Sequence, residues 1–241
     1  MTDREELRIT VPHQGVRDVS ALLDVPAAPP RAVLVLAHGS GAPMTSDFLE
    51  AVAPRLAEAA GIAVLRFNYA YAELMVRTGG RRPPERRPAL EAVHRATLEA
   101  ARRRFPDLPL LAGGKSLGGR ISTLMAADGE AMDGLVLLGY PLHPPGKPDR
   151  QRVEHFPEVS VPALFLQGTR DALADLDLLR PALERFKGRT TLHVVEGGDH
   201  SFAVLKRSGR TAEEVLDELA TATAAWVDAT LPPTGGGAAQ P

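Results

Sequence analysis

The chain has 241 residues, 44% of them hydrophobic and 24% charged, and its formal net charge is −2. This near-neutral charge argues against a general attraction to nucleic acid or membrane surfaces, and no apolar run approaches the roughly 18 residues of a membrane span. The absence of cysteine excludes disulfides, thiolate metal sites and cysteine nucleophiles. Because the N-terminus also has no apolar signal region, we expect a cytoplasmic protein.

Predicted strands and helices alternate along the chain. Residues 7–11 and 16–25 predict two strands that pair antiparallel at a sheet edge. Six further strands are predicted, most of them apolar runs typical of strands buried on both faces: 32–37, 62–67, 108–112, 134–139, 161–166 and 190–195. Helical spacing of apolar residues predicts helices at 46–60, 90–105, 120–127, 176–186 and 211–226, the last opened by a capping box. Residues 72–88 are predicted to be a polar loop.

This alternation predicts an α/β fold with a mostly parallel, twisted sheet and helices on both faces. We expect residues 1–231 to form a single domain. Residues 232–241, which are rich in proline and glycine, are expected to be a flexible tail. No connection is long enough to form a separate lid domain.

The segment Gly114-Lys115-Ser116-Leu117-Gly118 lies between a predicted strand and a predicted helix. In that context the pattern Gly-x-Ser-x-Gly predicts a nucleophile elbow, a sharp turn that exposes the serine hydroxyl. Side chains two residues before and after the serine would collide with neighbouring backbone, which explains the glycines. Because such a short pattern also arises by chance, the motif alone is only a hypothesis.

Ser116, Asp171 and His200 each follow the C-terminal end of a predicted strand, in this order. Acyl transfer needs a nucleophile, a base that takes its proton, and an acid that orients the base, and α/β-hydrolases place these groups in the same order. We therefore predict a Ser-His-Asp triad. The alternatives are that Asp171 caps the next helix and that His200 is an ordinary loop histidine.

Short motifs spread over about residues 31–202 give a more specific resemblance. The most distinctive is Gly139-Tyr140-Pro141-Leu142-His143-Pro144-Pro145-Gly146-Lys147, and the others are residues 38–44, 66–69, 80–84, 113–120, 167–171 and 198–202. With these motifs the chain resembles dienelactone-hydrolase-like α/β-hydrolases. More narrowly, it resembles small bacterial hydrolases related to testis-expressed protein 30 and to subunit 3 of the nuclear NSL acetyltransferase complex. The resemblance implies an α/β-hydrolase fold and the same triad, but no defined substrate. True dienelactone hydrolases use a cysteine nucleophile, which this chain lacks.

The oxyanion hole should consist of two backbone N–H groups. One is expected from Leu117, and the other from Ser40, with Gly41 as the alternative. Candidate pocket residues are His38, Tyr69, Lys115 and His143. We expect His38 to bond loop backbone, and Tyr69 either to line the pocket or to pack in the core. Lys115 should pair with a surface acid, or else attract an anionic substrate.

These features predict a serine hydrolase that cleaves ester, thioester or related acyl bonds of small substrates through an acyl-enzyme. No cofactor or metal is expected. The predicted partner is a small-molecule acyl substrate, with no nucleic acid and no membrane, and the protein should be a monomer or homodimer. The main alternative is a catalytically silent scaffold that keeps the fold for protein interactions. A third possibility is an acyltransferase or perhydrolase with the same triad.

Overall fold

A computed structural model describes residues 2–13 and 18–232. The strands are β1 (Asp3–Ile9), β2 (Val19–Val25), β3 (Val33–Ala37), β4 (Ala63–Phe67), β5 (Leu110–Lys115), β6 (Gly134–Leu138), β7 (Ala163–Gly168) and β8 (Thr190–Val195). The helices are α1 (Asp47–Ala60), α2 (Ala70–Thr78), α3 (Arg87–Arg104), α4 (Leu117–Ala127), α5 (Leu176–Leu183) and α6 (Ala212–Thr230). Short 3₁₀ turns lie at Phe156–Glu158 and Lys206–Ser208.

All eight strands join one sheet in the order β1-β2-β4-β3-β5-β6-β7-β8. β1 pairs antiparallel with β2, which pairs antiparallel with β4, and every later pairing is parallel. The predicted edge hairpin and the mostly parallel sheet are therefore confirmed. Parallel pairing brings the C-terminal ends of β3, β5, β6, β7 and β8 to one edge, which is where open α/β sheets bind ligands.

Helices cover both faces of the sheet, as predicted. Val33 and Val35 of β3 pack in the cluster that includes Leu90 of α3. The alternate residues, including Leu34, pack on the other face with Leu49 of α1 and with α6. Two-sided burial explains why the central strands are continuous apolar runs rather than alternating ones.

The prediction of a polar loop over residues 72–88 is wrong in its first part, because α2 occupies residues 70–78. This helix buries only Tyr71 and Ala72, so the sequence carries almost no apolar stripe to reveal it. Tertiary hydrogen bonds fix it instead. The carboxylate of Glu73 accepts hydrogen bonds from the Ser20 backbone N–H at 2.7 Å and from the Asn68 amide at 3.0 Å. Such contacts are visible only in the fold.

The long connection after β6 packs onto the body of the protein and forms no lid. The Phe156 ring contacts the rings of Tyr140, Phe165 and Phe186, with centroids 5.1–6.1 Å apart. Of the predicted tail, 232–241, only Pro232 lies within the described residues, so its flexibility stays a prediction, as does the 1–231 domain boundary. Over residues 2–13 and 18–232, no helix combines the length and apolar character that a membrane crossing requires.

Candidate active site

The elbow joins β5 to α4 under tight steric constraint. Ser116 has φ 50° and ψ −109°, a backbone conformation that is rare for a residue with a side chain. A Cβ atom on Gly114 would lie 2.4 Å from the Ala37 carbonyl oxygen, and one on Gly118 would lie 2.6 Å from the same atom. Only glycine fits at either position, which confirms the steric reason for the motif.

Asp171 follows β7 and its side chain has no exposed surface. Its Oδ1 accepts a hydrogen bond from the Leu173 backbone N–H at 2.8 Å, and its Oδ2 accepts one from the Gln167 amide. The N-cap of α5 is Asp175, whose carboxylate accepts the Asp177 N–H at 2.9 Å. Asp171 is therefore not the cap of this helix, and its carboxylate is held rigidly by its neighbours.

His200 lies between the other two side chains. Its Nδ1 is 2.8 Å from Asp171 Oδ2, and its Nε2 is 2.9 Å from Ser116 Oγ. The loop that carries His200 is stabilised by Asp199, whose Oδ1 accepts hydrogen bonds from the backbone N–H groups of Ser201 and Ala203. The structure thus brings together the three side chains singled out in the sequence as one continuous hydrogen-bonded chain.

A cleft of about 370 Å³ opens at Ser116 and His200. Ser40 lines this cleft, whereas Gly41 does not. A Cβ atom on Gly39 would lie 3.7 Å from Ser116 Cβ, so the loop after β3 passes directly beside the elbow. Leu117 is the first residue of α4, and a first-turn N–H has no partner inside its own helix. The remaining lining residues are Gly39, Ala42, Ser46, Phe48, Leu49, Lys115, Leu173 and Ser201.

The loop after β3 is fixed by two hydrogen bonds of the Met44 backbone. The Met44 N–H donates to Asn68 Oδ1 at 2.8 Å, and the Met44 carbonyl oxygen accepts a hydrogen bond from the Arg66 guanidinium at 3.0 Å. Arg66 is fully buried and also pairs with Asp24 and Glu50, each at 2.9 Å. We did not predict this network from the sequence. An arginine inside an otherwise apolar strand was the available signal, because a buried charge needs partners.

Residues 30–228 match the family model described as Alpha/beta hydrolase domain. The chain belongs to this family. Three solved structures show how far the likeness of this α/β hydrolase extends. A dienelactone hydrolase from Anabaena variabilis has a TM-score of 0.70 at 21% identity, over 96% of this chain and 99% of that chain. A lidless serine hydrolase from Xanthomonas campestris has a TM-score of 0.71 at 22% identity, over 98% of each chain. A thermostable carboxyl esterase from Bacillus coagulans has a TM-score of 0.75 at 13% identity, over 95% of this chain and 99% of that chain.

These matches confirm that the chain has the α/β-hydrolase fold. At such low identity they establish the fold and not the substrate. The resemblance to dienelactone-hydrolase-like proteins, which the motifs indicated, is likewise confirmed at the level of fold.

Two of the predicted pocket residues of this α/β hydrolase lie in its interior. His38 is fully buried, with Nδ1 2.8 Å from the Gly39 carbonyl oxygen and Nε2 accepting the Tyr69 N–H at 3.0 Å. Burial lowers the pKa of His38 to about 4, so the ring is neutral and supports the loop. Tyr69 is also fully buried, and its hydroxyl lies 3.2 Å from His94 Nδ1. The structure places neither side chain in the cleft wall.

Lys115 does line the cleft, but it does not pair with a surface acid. Its Nζ donates to the carbonyl oxygen of His200 and lies 5.5 Å from the centre of the Phe202 ring. Within the described residues it forms no ion pair. Burial lowers the pKa of Lys115 to about 8, against the opposing influence of Asp171 and Asp199. The prediction that Lys115 pairs with a surface acid is therefore wrong, because its ammonium group donates to the loop that carries His200 instead.

His143 is buried and does not itself line the cleft. Its backbone N–H donates to the carbonyl oxygen of Leu173, a cleft residue, at 3.1 Å. Its ring Nδ1 lies 3.0 Å from the Pro144 carbonyl oxygen. It therefore supports the cleft wall through Leu173 without lining the cleft itself. Across residues 2–13 and 18–232, no group of three or more histidine, aspartate or glutamate side chains is arranged to hold a metal ion.

Proposed function

We propose that this α/β hydrolase is a serine hydrolase that cleaves ester, thioester or related acyl bonds of small substrates. The observation that carries the proposal is the hydrogen-bonded chain from Ser116 through His200 to Asp171, which ends at an open cleft. A serine alone is a weak nucleophile, and a positioned histidine base with an orienting carboxylate is the arrangement that activates it.

The proposed reaction begins when Ser116 Oγ attacks the acyl carbon and His200 Nε2 takes the hydroxyl proton. Asp171 holds the Nδ1 proton of His200 and stabilises the imidazolium that forms. The negative oxygen of the tetrahedral intermediate is bound by the N–H groups of Leu117 and Ser40. Protonated His200 then gives its proton to the departing alcohol or thiol. Water, activated by His200, attacks the acyl-enzyme, releases the acid and restores Ser116.

The strain at Ser116 favours this function over the alternative of a silent scaffold. A non-glycine residue in so rare a conformation costs on the order of 1–3 kcal/mol, and such strain clusters at functional sites. A protein that used only its surface would gain nothing from it. The esterases and the dienelactone hydrolase with the same fold are consistent with acyl chemistry.

An acyltransferase or perhydrolase would use the same residues. Product analysis with an alcohol or hydrogen peroxide as the competing nucleophile separates these activities from hydrolysis.

Hydrolysis of p-nitrophenyl acetate by matched variants tests the proposal. Ser116→Ala should lower kcat/KM by about 10⁴-fold or more, because the remaining groups cannot form an acyl-enzyme. Ser160→Ala is the control, since Ser160 is exposed and follows the 3₁₀ turn far along the chain from the elbow. Equal rates for the wild type and Ser116→Ala would overturn the proposal.

A further inference from the structure

Arg120 and Arg152 stand apart from the other arginines of the molecule. Seven arginines in the described residues are partly or fully buried. Five of them form ion pairs with carboxylates: Arg31, Arg55, Arg66, Arg102 and Arg210. Arg120 and Arg152 do not, within residues 2–13 and 18–232. Removing a guanidinium from water without a partner is unfavourable, so two neighbouring exceptions need an explanation.

Arg120 is adjacent to the elbow, and Arg152 is bonded to a residue of the connection after β6. Arg120 is in the first turn of α4, and its backbone N–H donates to the Ser116 carbonyl oxygen at 3.0 Å. The Arg152 carbonyl oxygen accepts the Tyr140 hydroxyl at 2.8 Å. Tyr140 directly follows Gly139, where a Cβ atom would lie 3.6 Å from His200 Nδ1. The backbone of Arg120 is thus bonded directly to the elbow, whereas that of Arg152 is connected to the histidine through Tyr140 and Gly139. Neither arginine lines the cleft itself.

The surroundings of the two guanidinium groups are electropositive. Nε of Arg120 is buried and has no hydrogen-bond partner among the described residues. Burial, and then the charge of Arg120, lowers the pKa of Arg152. The same two causes lower the pKa of His155 to about 4, so that its ring is neutral. Among nearby acids, Asp128 pairs with Arg87, and Glu154 forms no ion pair with either arginine.

We propose that Arg120 and Arg152 form a binding site for a carboxylate or phosphate group. Arginine presents its N–H donors as a planar fork that matches the oxygens of both groups, and two forks can share one anion. An anion bound there would satisfy the buried Nε and remove the repulsion between the two like charges. That the anion belongs to the substrate rests on the proposed function. In that case the preferred substrate is an acyl ester that carries a second, anionic group.

Anion binding can be measured without catalysis. Glutarate and inorganic phosphate are each titrated while Tm is followed, with sodium chloride at matched ionic strength as the reference. Tm of the wild type should rise with at least one of the two anions, and the one that acts identifies carboxylate or phosphate. Arg120→Gln and Arg152→Gln should lose this response, and without anion they should be at least as stable as the wild type because a like-charge contact is gone. Arg150→Gln, an exposed arginine of the same connection, should respond as the wild type does. Equal Tm shifts in all four proteins, or none in the wild type, would overturn the site.

Kinetics then tests whether the anion belongs to the substrate. The wild type should cleave mono-p-nitrophenyl glutarate with a kcat/KM at least about tenfold above that of its neutral methyl ester, mainly through KM. Arg120→Gln and Arg152→Gln should lose the preference, so that each variant has similar kcat/KM values for the two esters, whereas Arg150→Gln should keep it. If wild type cleaves both esters equally, the substrate assignment is wrong and the hydrolase proposal stands. If it cleaves neither, the hydrolase proposal fails and the Tm measurement alone decides the anion site.

Discussion

Ser116, Asp171 and His200 could be picked out from the sequence because each carries a local signal. Each follows a predicted strand, and parallel strands end at the same edge of the sheet. Residues that depend on long-range contacts gave no such signal. Nothing in the sequence shows that Lys115 bonds to a carbonyl group 85 residues away or that Tyr69 bonds to His94. Such contacts are set by how helices and loops pack, which spacing along the chain does not specify.

Lys115 is expected to position His200 through its bond to the His200 carbonyl oxygen. Lys115→Met keeps most of the apolar length of the side chain and removes the ammonium group. We expect kcat for p-nitrophenyl acetate to fall about tenfold with little change in KM, because the histidine loop loses one restraint. Lys187→Met, an exposed lysine, is the control. A fall confined to KM would instead indicate that Lys115 binds the substrate.

The lowered pKa of Lys115 also gives a stability prediction. Between about pH 8, the pKa of Lys115 in the folded protein, and 10.5, the ordinary pKa of a lysine, the unfolded chain binds more protons at this residue than the folded one does. Stability from this group therefore rises with pH in that window. The difference in Tm between wild type and Lys115→Met should shift in favour of the wild type from about pH 7 to about pH 9.5. A difference independent of pH would contradict the burial of this charge.

Among the secondary-structure elements, the elbow helix α4 packs closely against β3 because Gly118 has no side chain. Alanine favours a helix over glycine by about 1 kcal/mol, so propensity alone predicts that Gly118→Ala stabilises the protein. A Cβ atom at Gly118 would, however, lie 2.6 Å from the Ala37 carbonyl oxygen. We expect Gly118→Ala to lower the free energy of unfolding by about 1–3 kcal/mol, or roughly 2–4 °C in Tm for each kcal/mol. Gly80→Ala, where the nearest atom is 3.9 Å away, should change Tm little.

Arg66 connects β4 to the loop that carries Ser40. Arg66→Met leaves Asp24 buried with only Arg4, and removes the donor to the Met44 carbonyl oxygen. Breaking a buried pair costs about 3–5 kcal/mol, and we expect the lower end because Arg4 remains. Arg4→Met, whose side chain is partly exposed, should cost about 1 kcal/mol or less. Urea unfolding of both variants makes the comparison, and similar losses would show that burial of Arg66 is not what stabilises the loop.

The elements differ in how well the sequence predicts them. The central strands and five of the six described helices were predicted because each buries an apolar run or stripe, whereas β1, which is mostly exposed, was predicted from its alternation of apolar and polar residues. α6 was also marked by its capping box, in which Thr211 and Glu214 exchange hydrogen bonds. α2 was missed because hydrogen bonds to Glu73 fix it rather than apolar burial. In this protein, elements that bury several apolar residues in a regular pattern are readable from the sequence, and α2, which buries only Tyr71 and Ala72, is not.

For the whole molecule, the open cleft predicts which acyl chains are accepted. Within residues 2–13 and 18–232 no lid covers the cleft, and the cleft volume of about 370 Å³ gives little apolar surface for a long chain. We expect kcat/KM to be at least about tenfold higher for p-nitrophenyl butyrate than for p-nitrophenyl palmitate. A kcat/KM that rises with chain length up to palmitate would show that a longer apolar channel exists.

Ser116 should become the acylated nucleophile when His200 takes its proton. Labelling with a fluorophosphonate, followed by mass spectrometry of the peptides, tests this step without any assumption about the substrate. We expect a single adduct on Ser116, with labelling abolished in Ser116→Ala and strongly slowed in His200→Ala. No adduct on the folded wild type, or equal labelling of Ser116→Ala, would contradict it.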